Sequence, residues 1–286
     1  MIHLSSDQPN LAPRTRARAT NIRVAIAGLG TVGRYVARQL DAGMPGLSLS
    51  AVAVRDVENS RVFINTLQST PEIVKIGELA DYADIVVESA PSDLLADIAG
   101  PALRAGKRVI VLSIGALLDC PELVEIAREA GGQILVPTGA LIGLDAVTAA
   151  AEGKITSVKM ITRKPVTGLA GAPFLTERNL RIENITEPLR LFSGTAGDAI
   201  RGFPANLNVA VALSLAGIGA DRTSLEIWAD PALTRNTHRI EVESDSASFS
   251  MSIENIPTSN PKTGRITALS VVALLRKQTS PLRVGT

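Results

Sequence analysis

Three glycines that directly follow a short apolar segment have the spacing of a dinucleotide-binding turn. Gly28, Gly30 and Gly33 form the pattern G-x-G-x-x-G after the strand-like run Ile22–Ala27. In this context the first glycine permits a tight turn and the second lets the backbone approach a pyrophosphate. The third lets the following helix pack close to the strand. The alternative is a plain glycine-rich turn.

The residues after this turn bear on the choice of cofactor. A helix that starts at Thr31 and Val32 would direct its free N–H groups towards the phosphates. The next strand-like run, 47–54, is followed by Arg55 and Asp56. An acidic residue at this place binds the ribose 2′-OH of NAD, whereas an arginine holds the 2′-phosphate of NADP. Either NAD or NADP is therefore expected, and FAD is not favoured. The alternative for Arg55 and Asp56 is that they only cap a turn.

His238 is the candidate for proton transfer, because it is the one histidine beyond residue 20. The ordinary pKa of histidine suits general acid–base catalysis near neutral pH. The alternative is a histidine within a strand whose ring is satisfied by a neighbour.

Strand-like and helical patterns alternate through the first half of the chain. This order predicts an N-terminal Rossmann-type doubly wound parallel sheet, whose ligand lies at the carboxyl ends of its strands. The predicted strands are 22–27, 47–54, 73–76, 85–89, 108–112 and 134–136, and the predicted helices include 94–105 and 121–130.

After Pro137 the pattern changes to that of an α+β domain with a mixed or antiparallel sheet. Strands are predicted at 155–162, 189–193, 224–229, 238–243 and 248–253, with helices at 204–215 and 266–277. We therefore expect a dinucleotide-binding domain of residues 21–139 and 262–286, a catalytic and dimerisation domain of residues 140–261, and a disordered tail of residues 1–20. The spaced arginines of the tail also leave an organellar targeting peptide open.

Composition excludes several classes of protein. The net charge is +1 with 3% aromatic residues, which does not favour nucleic acid as a partner. No apolar run reaches the length of a membrane span. The single cysteine, Cys120, excludes an internal disulfide and a cysteine-based zinc cluster, so no metal site is predicted and a cytoplasmic location is expected.

Several short motifs occur together in an order that resembles the L-aspartate dehydrogenase family. The resemblance covers nearly everything from residue 22 to the last helix. The motifs that carry it are Ser113-Ile-Gly-Ala116, Pro137-Thr-Gly-Ala-Leu-Ile-Gly-Leu-Asp145, Thr162-Arg-Lys-Pro165, residues 203–210, Ala229-Asp-Pro231, Asn236-Thr-His-Arg-Ile240 and residues 260–263. The resemblance implies a homodimer that interconverts aspartate and iminoaspartate, or oxaloacetate plus ammonia, with NAD(P).

The resemblance also implies roles for individual residues. It makes His238 the catalytic residue, and it places Ala140 (through its backbone) and Asn208 (through its side chain) at the cofactor. The alternative role for Asn208 is hydrogen bonding at a helix N-terminus.

A dicarboxylate substrate needs cations, and three candidates lie in the family-like segments. These are Arg163, Lys164 and Lys262, of which Lys164 ranks first because a shaped loop follows it. Thr138, where the family usually has Ser, is a further substrate-binding candidate. The alternative for each charged residue is a solvated surface position.

Two other functions stay open. Arg239 follows His238 where the family often has Glu, which changes the charge beside the expected site and favours a different small amino dicarboxylate as substrate. A non-catalytic NAD(P)H-binding regulatory protein is the other alternative, and His238 argues against it.

Overall fold

The computed structural model describes residues 21–203, 207–258 and 264–286. The expectations for the tail of residues 1–20, for a helix start at Pro204 and for Lys262 lie outside the described residues. Within the described ranges, no helix is long and apolar enough to cross a membrane.

The N-terminal half forms a six-stranded parallel sheet among the described residues, as the alternating pattern predicts. Its order is β3-β2-β1-β4-β5-β6, so the direction of winding reverses between β1 and β4 and opens a crevice at the carboxyl ends of the strands. The strands are β1 (Ile22–Ala27), β2 (Leu47–Ala53), β3 (Glu72–Ile73), β4 (Ile85–Glu88), β5 (Arg108–Val111) and β6 (Gln133–Leu135). The helices between them are α1 (Thr31–Asp41), α2 (Val57–Ile64), α3 (Leu79–Tyr82), α4 (Leu95–Arg104) and α5 (Glu122–Ala130).

The central strands of this sheet are buried on both faces, as a parallel sheet covered by helices requires. All four residues of β4 are buried, including Glu88 at its end. Helix α1 packs through the face that carries Gly33, Val36 and Leu40. The aliphatic composition therefore produces a sheet held between two helical layers.

The second half forms a mixed sheet of order β11-β10-β7-β9-β8, in which only the β7–β9 pair is parallel among the described strands. Its elements are α6 (Leu144–Ala151), β7 (Ile155–Lys164), α7 (Val166–Leu169), α8 (Pro173–Glu177), β8 (Leu189–Thr195), α9 (Ala196–Ala199), α10 (Asn208–Ala216), β9 (Thr223–Ala229), β10 (Asn236–Ser244) and β11 (Ser248–Asn255). Alternation along β10 buries His238, Ile240 and Val242 on the face that packs against the helices. The two predicted sheets are thus confirmed.

The last helix, α11 (Arg265–Thr279), returns to the first half of the chain. It contacts α1, and its Val271, Val272 and Leu275 belong to the same buried cluster as β1. The chain therefore crosses from the first sheet to the second and back, which brings the loop after β6 close to α11.

At one end of the second sheet, three strands extend beyond the bounds that the sequence pattern predicts. β7 continues to Lys164, β10 begins at Asn236, and β11 continues to Asn255. Polar side chains end the apolar alternation at these places, so the pattern stops early although the backbone ladder continues. These extra residues prove to be those nearest the candidate site.

The close approach of α1 to β1 gives a prediction about stability. A Cβ at Gly33 would collide with the carbonyl oxygen of Gly28 and would lie 2.8 Å from Ser89 Oγ. We expect Gly33→Ala to lower the free energy of unfolding by about 1–3 kcal/mol, because the backbone must shift to admit the methyl group. Urea-induced unfolding measures the change.

Gly77→Ala is the matched control for this substitution. Nothing lies within 4 Å of the Cβ position at Gly77, so we expect a change within about 0.5 kcal/mol. Equal stability of the two variants would contradict a close packing of helix and strand at Gly33.

Candidate active site

The glycine turn has the geometry that a pyrophosphate requires. Gly28 has φ +88°, in the left-handed region that favours glycine. At Gly30 the space around a Cβ position is open, with nothing within 4 Å. No side chain of the described residues caps the start of α1, where Thr31 is exposed and Val32 is half-buried. The open space beside Gly30 and the uncapped start of α1 therefore fit a dinucleotide.

The two polar residues after β2 lie in different surroundings. Arg55 is exposed. The Asp56 carboxylate caps α2, because it accepts hydrogen bonds from the backbone N–H of Asn59 at 3.0 Å and from the Asn59 side chain. Those bonds lower the pKa of Asp56. Asp56 thus has the capping role that the sequence left open, and Arg55 stays a candidate for the cofactor 2′-phosphate.

A buried carboxylate that the sequence analysis did not select ties two loops together at the carboxyl ends of the strands. Glu88 is fully buried. One of its oxygens accepts from the N–H groups of Leu112 and Ser113 at 2.9 and 2.8 Å, and the other accepts from Ser113 Oγ and from the N–H of Ala90. Burial raises the pKa of Glu88, and the hydrogen bonds oppose that rise. A charged residue at the end of an otherwise apolar strand was the available signal.

A small pocket of about 110 Å³ lies where loops of the first sheet meet the end of the second. Five of the predicted site residues line it, namely Thr138, Ala140, Lys164, Asn208 and His238. The other lining residues are Leu112, Ile114, Gly139, Val209, Asn236, Asn255, Gly264 and Thr267. The structure thus brings together residues that are far apart in the sequence.

His238 is 3% exposed, and its Nδ1 lies 3.0 Å from Thr162 Oγ1 on the neighbouring strand. This contact leaves Nε2 as the nitrogen available to a ligand. Burial, together with the positive charge of Lys164, lowers the pKa of His238 to about 3. The sequence-based expectation of a group that titrates near neutrality is therefore wrong for His238, because desolvation disfavours the charged ring.

The two neighbouring cations of β7 point in opposite directions. Lys164 is 4% exposed and lines the pocket, on the same face of the sheet as His238. Arg163 lies on the other face, where it forms an ion pair with Asp230 at 2.9 Å and contacts the ring of Trp228. Successive residues of a strand alternate between faces, so the structure does not bring Arg163 to the pocket.

Two hydrogen bonds fix the loop that contains Thr138 and Ala140. The N–H of Gly139 donates to Ser270 Oγ of α11 at 3.1 Å, and the side chain of Asn255 donates to the carbonyl of Ala140 at 2.8 Å. The loop is therefore held by elements that follow it by more than a hundred residues.

Asn208 is the first residue of α10, and it connects this helix to the loop after β5. Its Oδ1 accepts from the N–H of Gly115 at 3.0 Å. With Oδ1 engaged, the amide N–H groups of Asn208 are the donors that it offers to the pocket.

Two lining residues, Asn236 and Asn255, were missed by the sequence analysis. They face each other across the β10–β11 pair. Continuing the period of two from His238 back to Asn236, and from Ile253 on to Asn255, was the signal that would have found them. Among the described residues no cluster of His, Cys, Asp and Glu is suited to a metal ion.

Comparison with known proteins agrees with this arrangement. Residues 28–137 match the NAD-binding domain of homoserine dehydrogenase, and residues 145–278 match the C-terminal domain of aspartate dehydrogenase. The cofactor is accordingly NAD or NADP.

Similar proteins cover nearly the whole chain. The L-aspartate dehydrogenase of Bradyrhizobium diazoefficiens is 62% identical over 94% of this chain and 95% of its own length, and L-aspartate dehydrogenase 3 of Bordetella bronchiseptica is 61% identical over 92% and 97%. A crystal structure of aspartate dehydrogenase from Thermotoga maritima has the same fold, with a TM-score of 0.70 and 21% identity over 93% of this chain and 100% of that chain. The chain belongs to the L-aspartate dehydrogenase family.

Proposed function

We propose that the protein interconverts L-aspartate and iminoaspartate with NAD(P), and that iminoaspartate exchanges with oxaloacetate and ammonia by hydrolysis. One observation carries the proposal: a histidine and a lysine, both buried, line one pocket at the carboxyl ends of the dinucleotide-binding sheet. The names of the similar proteins support the choice of L-aspartate.

The cofactor residues of this proposal are those of the glycine turn, together with Arg55, Ala140 and Asn208. Gly28 and Gly30 with the N–H groups of Thr31 and Val32 would hold the pyrophosphate, and Gly33 lets α1 approach β1. When bound, the nicotinamide supplies the hydride chemistry at the substrate Cα. Every other contribution comes from the side chains of the pocket.

His238 acts as the general base in the direction of oxidation. The substrate ammonium must lose a proton before its lone pair can form the C=N bond, and a neutral imidazole accepts that proton. The same nitrogen can take a proton from the water that attacks the imine carbon. Because the pKa of His238 is about 3, the ring is neutral at physiological pH, and a substrate carboxylate bound beside Lys164 would offset the lysine charge and favour protonation of the ring.

Lys164 is assigned to a substrate carboxylate. Its charge is buried in the pocket, where an anion is stabilised more strongly than in water. Thr138 lines the same pocket and stays a substrate-binding candidate. Lys262, outside the described residues, stays a candidate for the second carboxylate, whereas the ion pair with Asp230 on the opposite face argues against Arg163.

Neither alternative function is favoured by an observation. Arg239 lies on the outer face of the sheet, where its Nε donates to Glu241 at 2.9 Å. It therefore does not reach the pocket and gives no reason to expect a different amino dicarboxylate as the substrate. A regulatory protein would have no need of a buried neutral base beside a lysine.

A cytoplasmic location and a homodimer are part of the proposal. The family resemblance supports the dimer, and the single cysteine supports a reducing compartment.

The proposed function is tested by initial rates with L-aspartate, L-glutamate, L-malate, and oxaloacetate plus ammonia. We expect turnover with L-aspartate and in the reverse direction with oxaloacetate plus ammonia, with much lower rates for the other two. Turnover of L-glutamate or L-malate in preference to L-aspartate would contradict it.

The same assay on His238→Asn tests the proposed base. Asparagine can keep a hydrogen bond to Thr162 while it removes Nε2. We expect kcat with L-aspartate to fall by about a hundredfold to ten-thousandfold, with the Kd of NADH nearly unchanged. Retention of most of the wild-type rate would make His238 a structural residue.

The cofactor preference gives a separate prediction. We expect Arg55→Ala to weaken NADPH binding more than NADH binding, because only NADPH carries the 2′-phosphate that the guanidinium would pair with. Fluorescence titration measures both Kd values.

Arg61→Ala is the matched control, because Arg61 is an exposed arginine of α2 that pairs with Glu58 on the same helix. It should change neither affinity. If Arg55→Ala affected NADH and NADPH equally, Arg55 would have no part in the choice of cofactor.

A further inference from the structure

One polar atom in the pocket has no partner in the part of the chain that the structure describes. Asn255, the last residue of β11, is 3% exposed, and its Oδ1 is buried without a hydrogen bond. Buried side-chain acceptors are almost always paired, so an unpaired one beside a ligand pocket calls for an explanation.

The orientation of the Asn255 amide is fixed by its other end. The Nδ2 group donates to the carbonyl oxygen of Ala140 at 2.8 Å. Exchanging the amide oxygen and nitrogen would place two acceptors against each other. The unpaired atom is therefore an acceptor, and it needs a donor.

The surroundings of Oδ1 place it within the candidate active site. Asn255 pairs with Asn236, and His238 lies two residues along the same face of β10. All three line the pocket with Lys164. On another side Gly264 packs so closely that a Cβ there would lie 3.3 Å from Oδ1. A glycine at this place avoids a side-chain contact with the acceptor.

We propose that Oδ1 of Asn255 accepts a hydrogen bond from the substrate nitrogen. The inference rests on the proposed function and adds a residue that binds the substrate amino group. With both carboxylates of L-aspartate ionised, all hydrogen-bond donors of the substrate are on its nitrogen. Lys164 is a donor and suits a carboxylate, whereas Asn255 is an acceptor and suits the amino group. The two residues together would orient the substrate.

Binding to the enzyme saturated with NADH tests this inference, with L-aspartate and succinate as probes. Succinate has both carboxylates but no nitrogen. Asn255→Leu removes the acceptor at similar volume. We expect it to raise the Kd of L-aspartate by about tenfold to a hundredfold and to change the Kd of succinate by less than about twofold.

Asn255→Asp tests the same contact in the opposite direction. A carboxylate keeps an acceptor at the place of Oδ1, attracts the substrate ammonium and repels a dianion. The ratio of the Kd of succinate to that of L-aspartate should therefore rise above its wild-type value, whereas Asn255→Leu lowers it. Circular dichroism checks that each variant is folded. If Asn255→Leu does not fold, the inference is tested with Asn255→Asp alone.

Ser270→Ala is the matched control for the loop. It removes the other hydrogen bond that holds residues 138–140, but it leaves Oδ1 in place. It should therefore change the Kd values of L-aspartate and succinate by the same factor. The inference would be overturned if Asn255→Leu raised the Kd of L-aspartate and of succinate by the same factor. It would also be overturned if only the Kd of NADH rose, because that result would assign Oδ1 to the cofactor carboxamide.

Failure of the proposed function can be told apart from failure of this inference. If the wild-type enzyme does not turn over L-aspartate, the function itself is wrong. If it does, and the ratio of the two Kd values is the same in wild type, Asn255→Leu and Asn255→Asp, then only the contact with Asn255 is wrong.

Discussion

The removal of His238 from water beside a buried lysine is the constraint on which the site depends. Both side chains come from the inner face of the second sheet, at the end where its strands reach the first sheet. Desolvation and the neighbouring charge keep the imidazole neutral. The same burial strengthens the attraction between Lys164 and an anionic substrate. In the proposed mechanism, a neutral base and an anion-binding cation therefore share one small pocket.

The chain forms this pocket by crossing between the two sheets. The loop after β6 is held by Ser270 of α11 and by Asn255 of β11. On the other side, Glu88 fixes the loops after β4 and β5, and Asn208 extends that connection to α10. Polar groups buried in this way are costly unless they are paired, so the network also restricts how the two sheets can meet.

The fold could be predicted from the local sequence pattern, and much of the candidate site from the family resemblance. The glycine turn is predicted by its spacing, and the buried strands are predicted by their apolar runs. The motifs, including the one around His238, indicated the family. Arg163 and Arg239 were placed wrongly in relation to the pocket, since sequence proximity to Lys164 and His238 does not give the face of a strand. Asn255 was missed because its partner, Ala140, lies far away in the sequence and their contact exists only in the folded chain.

The protonation state of His238 tests the central claim most directly. The measurement is a ¹⁵N NMR titration of histidine-labelled protein, in which the signal absent from His238→Asn identifies the ring. The account predicts that the His238 nitrogens keep the pattern of a neutral imidazole as the pH falls from 8 to about 5, because the pKa of the buried ring is about 3. A protonation step with a midpoint between about 6 and 7, near the ordinary pKa of histidine, would contradict the account. It would show that burial does not keep the base neutral.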